Sequence, residues 1–348
     1  MSLRLGRLLA IATVMALAAG AVGTAHAQAR PQGLPQWTKA APFPTPEEEL
    51  YGSVINGKFY VLGGFGVGGM APGMVWEYDP AGDKWTRKKD MPIKVHHQAQ
   101  TPYNGKLYVF GGCLQGISGE GGTTNAWEWD PVADTWKTLA AMDRKRCSAV
   151  AEQVDGKVYL IGGLEPFENG KGTRVTGLNQ MYDPATNTWT SRSPMPTSRN
   201  HAMAGTVNGK IYVLGGRLGA GNIPVTTNVD TVEEYDPATN LWGAVKERMP
   251  QVRSGGGWAT CNGKIYVGGG EWITREFYAA LRALDAYDPA TNTWEVLTSL
   301  PGAVHGNAMG CIGNKLHTVS GKMRAGGGPD PATASHDVLE LPQRAGTR

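Results

Sequence analysis

Thr206-Val207-Asn208-Gly209-Lys210-Ile211-Tyr212-Val213-Leu214-Gly215-Gly216, followed by Val232-Glu233-Glu234-Tyr235-Asp236-Pro237-Ala238-Thr239-Asn240-Leu241-Trp242, is the stretch that decides the fold. Asn208-Gly209 suits the tight primed turn of a hairpin, so residues 201–207 and Lys210 to Leu214 read as paired strands. Ile211-Tyr212-Val213-Leu214 shows no alternation, which fits a strand covered on both faces. Asp236-Pro237-Ala238-Thr239-Asn240 is a second turn, where Pro fixes φ and Asn accepts a left-handed backbone. It lies between a third strand ending near Tyr235 and a fourth carrying Trp242.

The same unit recurs along the chain. An aromatic-Asp-Pro triplet with Trp seven residues beyond the aromatic occurs at Tyr78, Trp129, Tyr182, Tyr235 and Tyr287. Turns at Asn56, Asn104, Asp155, Asn208 and Asn262 each lead through an apolar strand to a double glycine, and Gly313-Asn314-Lys315 begins a worn sixth copy. Trp37, Trp85, Trp136, Trp189, Trp242 and Trp294 therefore mark six units, at spacings of 48, 51, 53, 53 and 52 residues. The last unit has a third strand, near His336 to Glu340, but no Trp strand after it, and Trp37 stands alone before the first. The N-terminal strand is expected to complete the C-terminal sheet and remove an open edge.

Composition agrees with this reading. The 348 residues include 49 Gly, 22 Pro and 11 Trp, a turn-rich and aromatic-rich usage that favours an all-β chain. With 33 Lys+Arg against 30 Asp+Glu the formal charge is +3, too balanced for binding nucleic acid or a membrane surface by bulk charge. At the N-terminus Arg4 and Arg7 precede an apolar run from Leu8 to Val22, and Ala25-His26-Ala27 has the form of a cleavage signal. Residues 1–27 are accordingly expected to be a signal peptide and 28–348 a single propeller domain, periplasmic or secreted, with no membrane association after cleavage. One local conflict is Arg275 to Arg282, helical in isolation; ring geometry is expected to override this for its second half, and a single helical turn in the loop before Tyr287 is compatible with the pattern.

The aromatic-Asp-Pro, the Trp, the Asn-Gly-Lys and the double glycine resemble kelch repeats over residues 37 to 341. The resemblance implies a six-bladed β-propeller around a central channel. Two enzyme families have such propellers. The copper site of galactose oxidase includes a Tyr followed directly by His, and no such pair exists in this chain. Sialic acid mutarotases are similar in layout and imply channel-mouth Arg and Glu acting on an acidic sugar, though no catalytic residue maps onto this chain.

Aligning the units on the Asn-Gly turn places three residues of each at one channel mouth: Glu47-Glu48-Glu49, Val95-His96-His97, Arg146-Cys147-Ser148, Arg199-Asn200-His201, Arg253-Ser254-Gly255 and Val304-His305-Gly306. Arg217, Glu271 and Lys322, just after double glycines, should approach the same face. Arg146, Arg199 and Arg253 share one column and admit two readings, a guanidinium cluster for an acidic ligand or a repeat feature bonding the frame. His97, His201 and His305 break the repeat; with one carboxylate of Glu47, Glu48 or Glu49 they admit three readings, a His/Glu metal site, an acid-base pair for a sugar, or polar channel lining. His96 and His97 are adjacent on a strand and should face opposite ways. No compact ligand motif links the histidines, so no metal and no cofactor is assigned. Cys113 with Cys147, and Cys261 with Cys311, are the geometrically conceivable disulfides; four buried free thiols are the alternative.

The functional expectation is a module that binds an acidic or carbohydrate ligand, or a protein partner, through the channel mouth and its loops, including the Gly-rich stretches 164–176 and 218–228. The enzymatic alternative is a mutarotase-like sugar isomerase.

Overall fold

The computed structural model describes residues 35–66, 70–114, 122–168, 172–219, 227–326 and 331–342. The expected signal peptide lies outside these residues. Six four-stranded antiparallel sheets form the blades of a propeller. Their innermost strands are Glu48–Ile55, Ala99–Tyr103, Val150–Val154, Met203–Val207, Gly257–Cys261 and Ala308–Ile312. Each packs against the innermost strand of the next blade, and the sixth against the first, so the ring closes. The N-terminal strand Trp37–Lys39 completes blade six by pairing with His336–Glu340, Trp37 opposite Leu339.

The repeat signature is a set of stitches between blades. In every unit the Trp indole donates to a backbone carbonyl of the preceding blade's exit: Trp85 to Ala41, Trp136 to Lys89, Trp189 to Ala140, Trp242 to Ser193, Trp294 to Glu247, and Trp37 to Ser299 across the closure. The left-handed turn residue adds a second stitch, its side-chain oxygen accepting from a backbone amide of that exit. Asn240, at φ 56°, accepts from its own Tyr235 hydroxyl at 2.7 Å and from the Ser193 amide at 2.9 Å. Asp83, Asp134, Asn187 and Asn292 repeat the arrangement.

Between blades lies the core. Ile211 and Val213 pack with blade three while Tyr212 and Leu214 pack with blade five, which is why that strand has no polar face. All four are under 5 % exposed; burying each aliphatic side chain is worth about 1.5–3 kcal/mol. Gly216 is required by closeness as well as conformation: at φ +96° a Cβ would sit 2.7 Å from the Asn200 carbonyl oxygen. The second half of residues 275–282 gives up its local helix preference as expected, and no helical turn forms there. Tyr278–Ala280 pairs with Glu271–Ile273 as a small hairpin above blade five, because backbone pairing to the edge of an existing loop strand outweighs local helix propensity. A similar hairpin, Leu164–Pro166 with Thr173–Val175, stands above blade three.

Candidate functional site

The aligned triplets do converge. The third residue of each, Glu49, His97, Ser148, His201, Gly255 and Gly306, has φ between 51° and 62°, one left-handed residue per blade. Their backbones form a belt around the axis: Ser148 N donates to His97 O at 2.8 Å, His201 N to Ser148 O at 3.2 Å, Gly255 N to His201 O at 2.9 Å, Gly306 N to Gly255 O at 2.7 Å and Leu50 N to Gly306 O at 2.9 Å. The belt demands a conformation glycine adopts most cheaply, yet four of its six members carry side chains. The left-handed turn also overturns the expectation for the adjacent histidines. Strand alternation breaks at His97, and the Nδ1 atoms of His96 and His97 meet in a short contact with both rings buried.

The arginine column takes the frame reading. Arg146, Arg199 and Arg253 are 1 %, 0 % and 0 % exposed. Arg146 donates to Gly162 O at 2.9 Å and to Gln180, Arg199 pairs with Glu233 and donates to Val213 O, and Arg253 pairs with Asp285. Each guanidinium ties the first strand of its blade to the third, turned away from the channel. The sequence held the signal for this. Where the column is Arg, the residue two before the aromatic of the Asp-Pro triplet is Gln180, Glu233 or Asp285; where it is Val95, that residue is Trp127.

The remaining mouth residues form a buried polar plug. Glu48, Glu49, His97, His201, Arg217, Glu271, His305 and Lys322 are all under 8 % exposed. Arg217 Nη1 donates to Glu271 Oε1 at 2.8 Å and its Nη2 lies 2.9 Å from His201 Nε2. His305 Nε2 lies 3.0 Å from Glu48 Oε2, Lys322 Nζ 3.4 Å from Glu48 Oε1, and His97 Nε2 3.2 Å from Glu49 Oε2. Burial works against a charge on His305, but the carboxylates of Glu271, Glu48 and Glu49 hold its pKa up to about 9. Burial likewise raises the Glu49 carboxyl, and His97, His201 and His305 more than offset it, keeping it well below the usual carboxylate range. Burial first and Arg217 second hold the His201 imidazole well below the usual histidine range.

Beneath the plug the channel changes character. A void of about 20 Å³ sits on the axis against Glu49, Ser148 and His201, and its floor includes Tyr51 and Trp258, whose rings are 5.9 Å apart and edge-on. Below them the channel widens to a cavity of about 520 Å³ at the hairpin end, lined by Gln100, Glu152, Gln153, Thr206 and Thr260, with no Lys, Arg or His. Burial raises Glu152 to a pKa of about 7, against a 2.8 Å hydrogen bond from Thr206 that lowers it. The motif-based reading missed this vestibule because its residues follow the belt by three to five positions and carry no repeat signature.

Cys113 and Cys147 are joined across blades two and three at the loop end, with Cα atoms 5.4 Å apart, and Cys261 and Cys311 across blades five and six at the hairpin end, at 5.9 Å. Around the loop-end mouth, the loops joining strands two and three leave apolar side chains in solvent. Met70, Leu114, Phe167, Leu218, Trp272 and Met323 provide one for each blade, at 39–75 % exposure. Phe277 and Tyr278 add to them beside Trp272, the Trp272 and Phe277 rings 5.2 Å apart. Of the Gly-rich stretches, Leu164 and Glu165 are buried, Glu165 held by Arg144 and Arg174, while 169–171 and 220–226 lie outside the described residues.

Comparison with known proteins follows the repeats. A model described as the KLHDC2/KLHL20/DRC7 Kelch-repeats domain matches residues 96–321, and a Kelch motif model matches 52–92. The chain is 30% identical over 276 residues to the Kelch-like protein terF of Aspergillus terreus, covering 75% of this chain and 58% of that one. It is 28% identical over 281 residues to mouse Kelch-like protein 23, covering 80% and 46%, and 26% identical over 257 residues to beta-scruin of Limulus polyphemus, covering 71% and 27%. The chain thus spans about half the length, or less, of these curated relatives. Among solved structures, that titled "Structure of YjhT" is similar in fold at a TM-score of 0.70 and 18% identity, covering 88% of this chain and 98% of that one.

Proposed function

From the premise that this chain belongs to the kelch-repeat family, whose propellers are ligand- or protein-binding modules, we propose that it docks a protein partner on its loop-bearing face. The observation that carries this is the apolar ring. Of thirteen large hydrophobic side chains exposed among the described residues, eight lie on the six loops between strands two and three. A soluble surface seldom gathers Met, Phe, Trp and Tyr around one mouth unless something covers them, and such residues dominate binding energy at protein interfaces. The channel mouth itself favours a small acidic ligand less, since Arg217 and His305 already face carboxylates. The isomerase alternative meets the same obstacle, because its acid and base must reach a sugar from within a closed ion-pair network.

We also infer export, from the basic-apolar-small pattern of residues 1–27 and from two disulfides that persist in an oxidising compartment. Mass spectrometry of the protein from its native host should then find an N-terminus at Gln28; an intact Met1 contradicts it. The docking reading is tested by the triple variant Met70→Ser, Phe167→Ser, Trp272→Ser. It should keep its melting temperature and lose, by at least tenfold in recovery, the protein that co-purifies with the unaltered chain. Undiminished recovery sends the partner to another face.

A further inference from the structure

The geometry points to a divalent-metal site on the propeller axis, with Glu49, His97 and His201 as ligands and a cation of the zinc class as occupant. A carboxylate oxygen and one nitrogen from each imidazole lie mutually within 4.8 Å. Glu49 Oε2 and His97 Nε2 are 3.2 Å apart, close to the separation of about 3.3 Å between two ligands of a tetrahedral zinc at ordinary bond lengths. His97 Nε2 is buried, and apart from this contact with Glu49 it makes no hydrogen bond.

The surroundings are those a metal-ligating histidine needs. Each ring has its other nitrogen occupied, His97 Nδ1 by His96 Nδ1 and His201 Nδ1 by Asn200 Oδ1. Such outer contacts fix the tautomer and turn the Nε2 lone pair inward. His201 Nε2 now accepts from Arg217 Nη2 at 2.9 Å. A cation takes over that lone pair, and Arg217 keeps its bonds to Glu271 and Asn200.

A fourth position is open. The axial void of about 20 Å³ adjoins Glu49 and His201, and the buried Ser148 hydroxyl on its wall has no partner. That is room for one water. Its floor residues, Tyr51 and Trp258, also line the 520 Å³ vestibule, so a single aromatic pair separates this position from the hairpin end. Two imidazoles, one carboxylate and a water form the open set that suits zinc better than the oxygen-only preferences of magnesium or calcium. The site is independent of partner docking, since no ligand lies on the loops.

The experiment is a titration of the tag-free, chelator-treated protein with zinc chloride by calorimetry, and with cobalt(II) by visible absorption. One equivalent of zinc should bind, and cobalt should give the intense visible bands of a four-coordinate centre. His97→Gln and His201→Gln should each weaken zinc binding by about a hundredfold, whereas His317→Gln, in the separate His317–His336 pair, should leave it unchanged. Absence of a stoichiometric equivalent in the unaltered protein overturns the proposal without any variant. So does binding that survives the double variant His97→Gln, His201→Gln, or that is lost on His317→Gln.

Discussion

The two ends of the channel are built from the same six strands and have little else in common. At the loop end the mouth is shut by eight buried ionisable or charged groups bonded to one another, under a ring of exposed apolar side chains. The hairpin end is open and wide, and among the described residues that line its cavity Glu152 is the one carboxylate. The difference shows how a repeat separates frame from function. Positions fixed by the turns keep the same task in every blade, while positions counted from them along the innermost strand are free to diverge, because the belt needs only the backbone there.

The sharpest way to break this comparison is through the arginine column. Arg253→Ala strands the Asp285 carboxylate inside blade five, and removing one partner of a buried pair costs about 3–5 kcal/mol. Urea denaturation should show that loss. Arg174→Ala, whose side chain is 43% exposed at the loop end, should cost under about 1 kcal/mol. Equal effects would return Arg253 to a solvent-facing role. Next in size are the disulfides. Cys261→Ser with Cys311→Ser opens a link between residues 50 apart, and should lower stability by about 2–4 kcal/mol in the same assay. A negligible change would mean the blades are held there by packing alone.

A smaller effect probes the hairpin end. The folded state raises Glu152 to about 7, so between the unfolded carboxyl value and that pH it binds more protons than the unfolded chain. Stability contributed by its protonated form is therefore present at low pH and fades as pH rises from about 4.5 to about 7, by about 3 kcal/mol at most and by less where water in the open vestibule solvates the carboxylate. Glu152→Gln should flatten this slope in melting curves; an unaltered slope would assign it elsewhere. Smallest of all, Met70→Ser or Met323→Ser should shift stability by no more than about 0.5 kcal/mol, since their side chains are 75 % and 65 % exposed. A large loss from either would make the apolar ring part of the fold rather than a surface for a partner.

These contrasts also mark what the sequence disclosed. The blades, their number and the closure by Trp37 were legible because each turn advertises itself: Asn208-Gly209 permits one geometry, and Asp236 to Asn240 another. The mouth triplets were legible too, since the belt residue precedes the turn by seven positions in every unit, from Glu49 and Asn56 to Gly306 and Gly313. Where their side chains point was not. Arg253 turns into its own blade because Asp285 waits 32 residues later on the third strand, a pairing visible only once the column is read against the third strand. His97 meets His96 because a positive φ undoes strand alternation, and adjacency alone gives no notice of it. The vestibule was least legible, as Tyr51, Glu152 and Trp258 come from alternate blades and share no motif.

The most direct test of the account is a photocrosslinking comparison of the two ends. A photoreactive phenylalanine placed singly at Met70, Phe167 and Met323 on the loop end, and at Val132 and Leu241 by the turns at the other, samples comparably exposed apolar positions. Irradiated in the native host, the loop-end positions should trap one common partner band and the turn positions none. Crosslinks of equal strength from both ends, or from the turn positions alone, would contradict the assignment of the loop face as the docking surface.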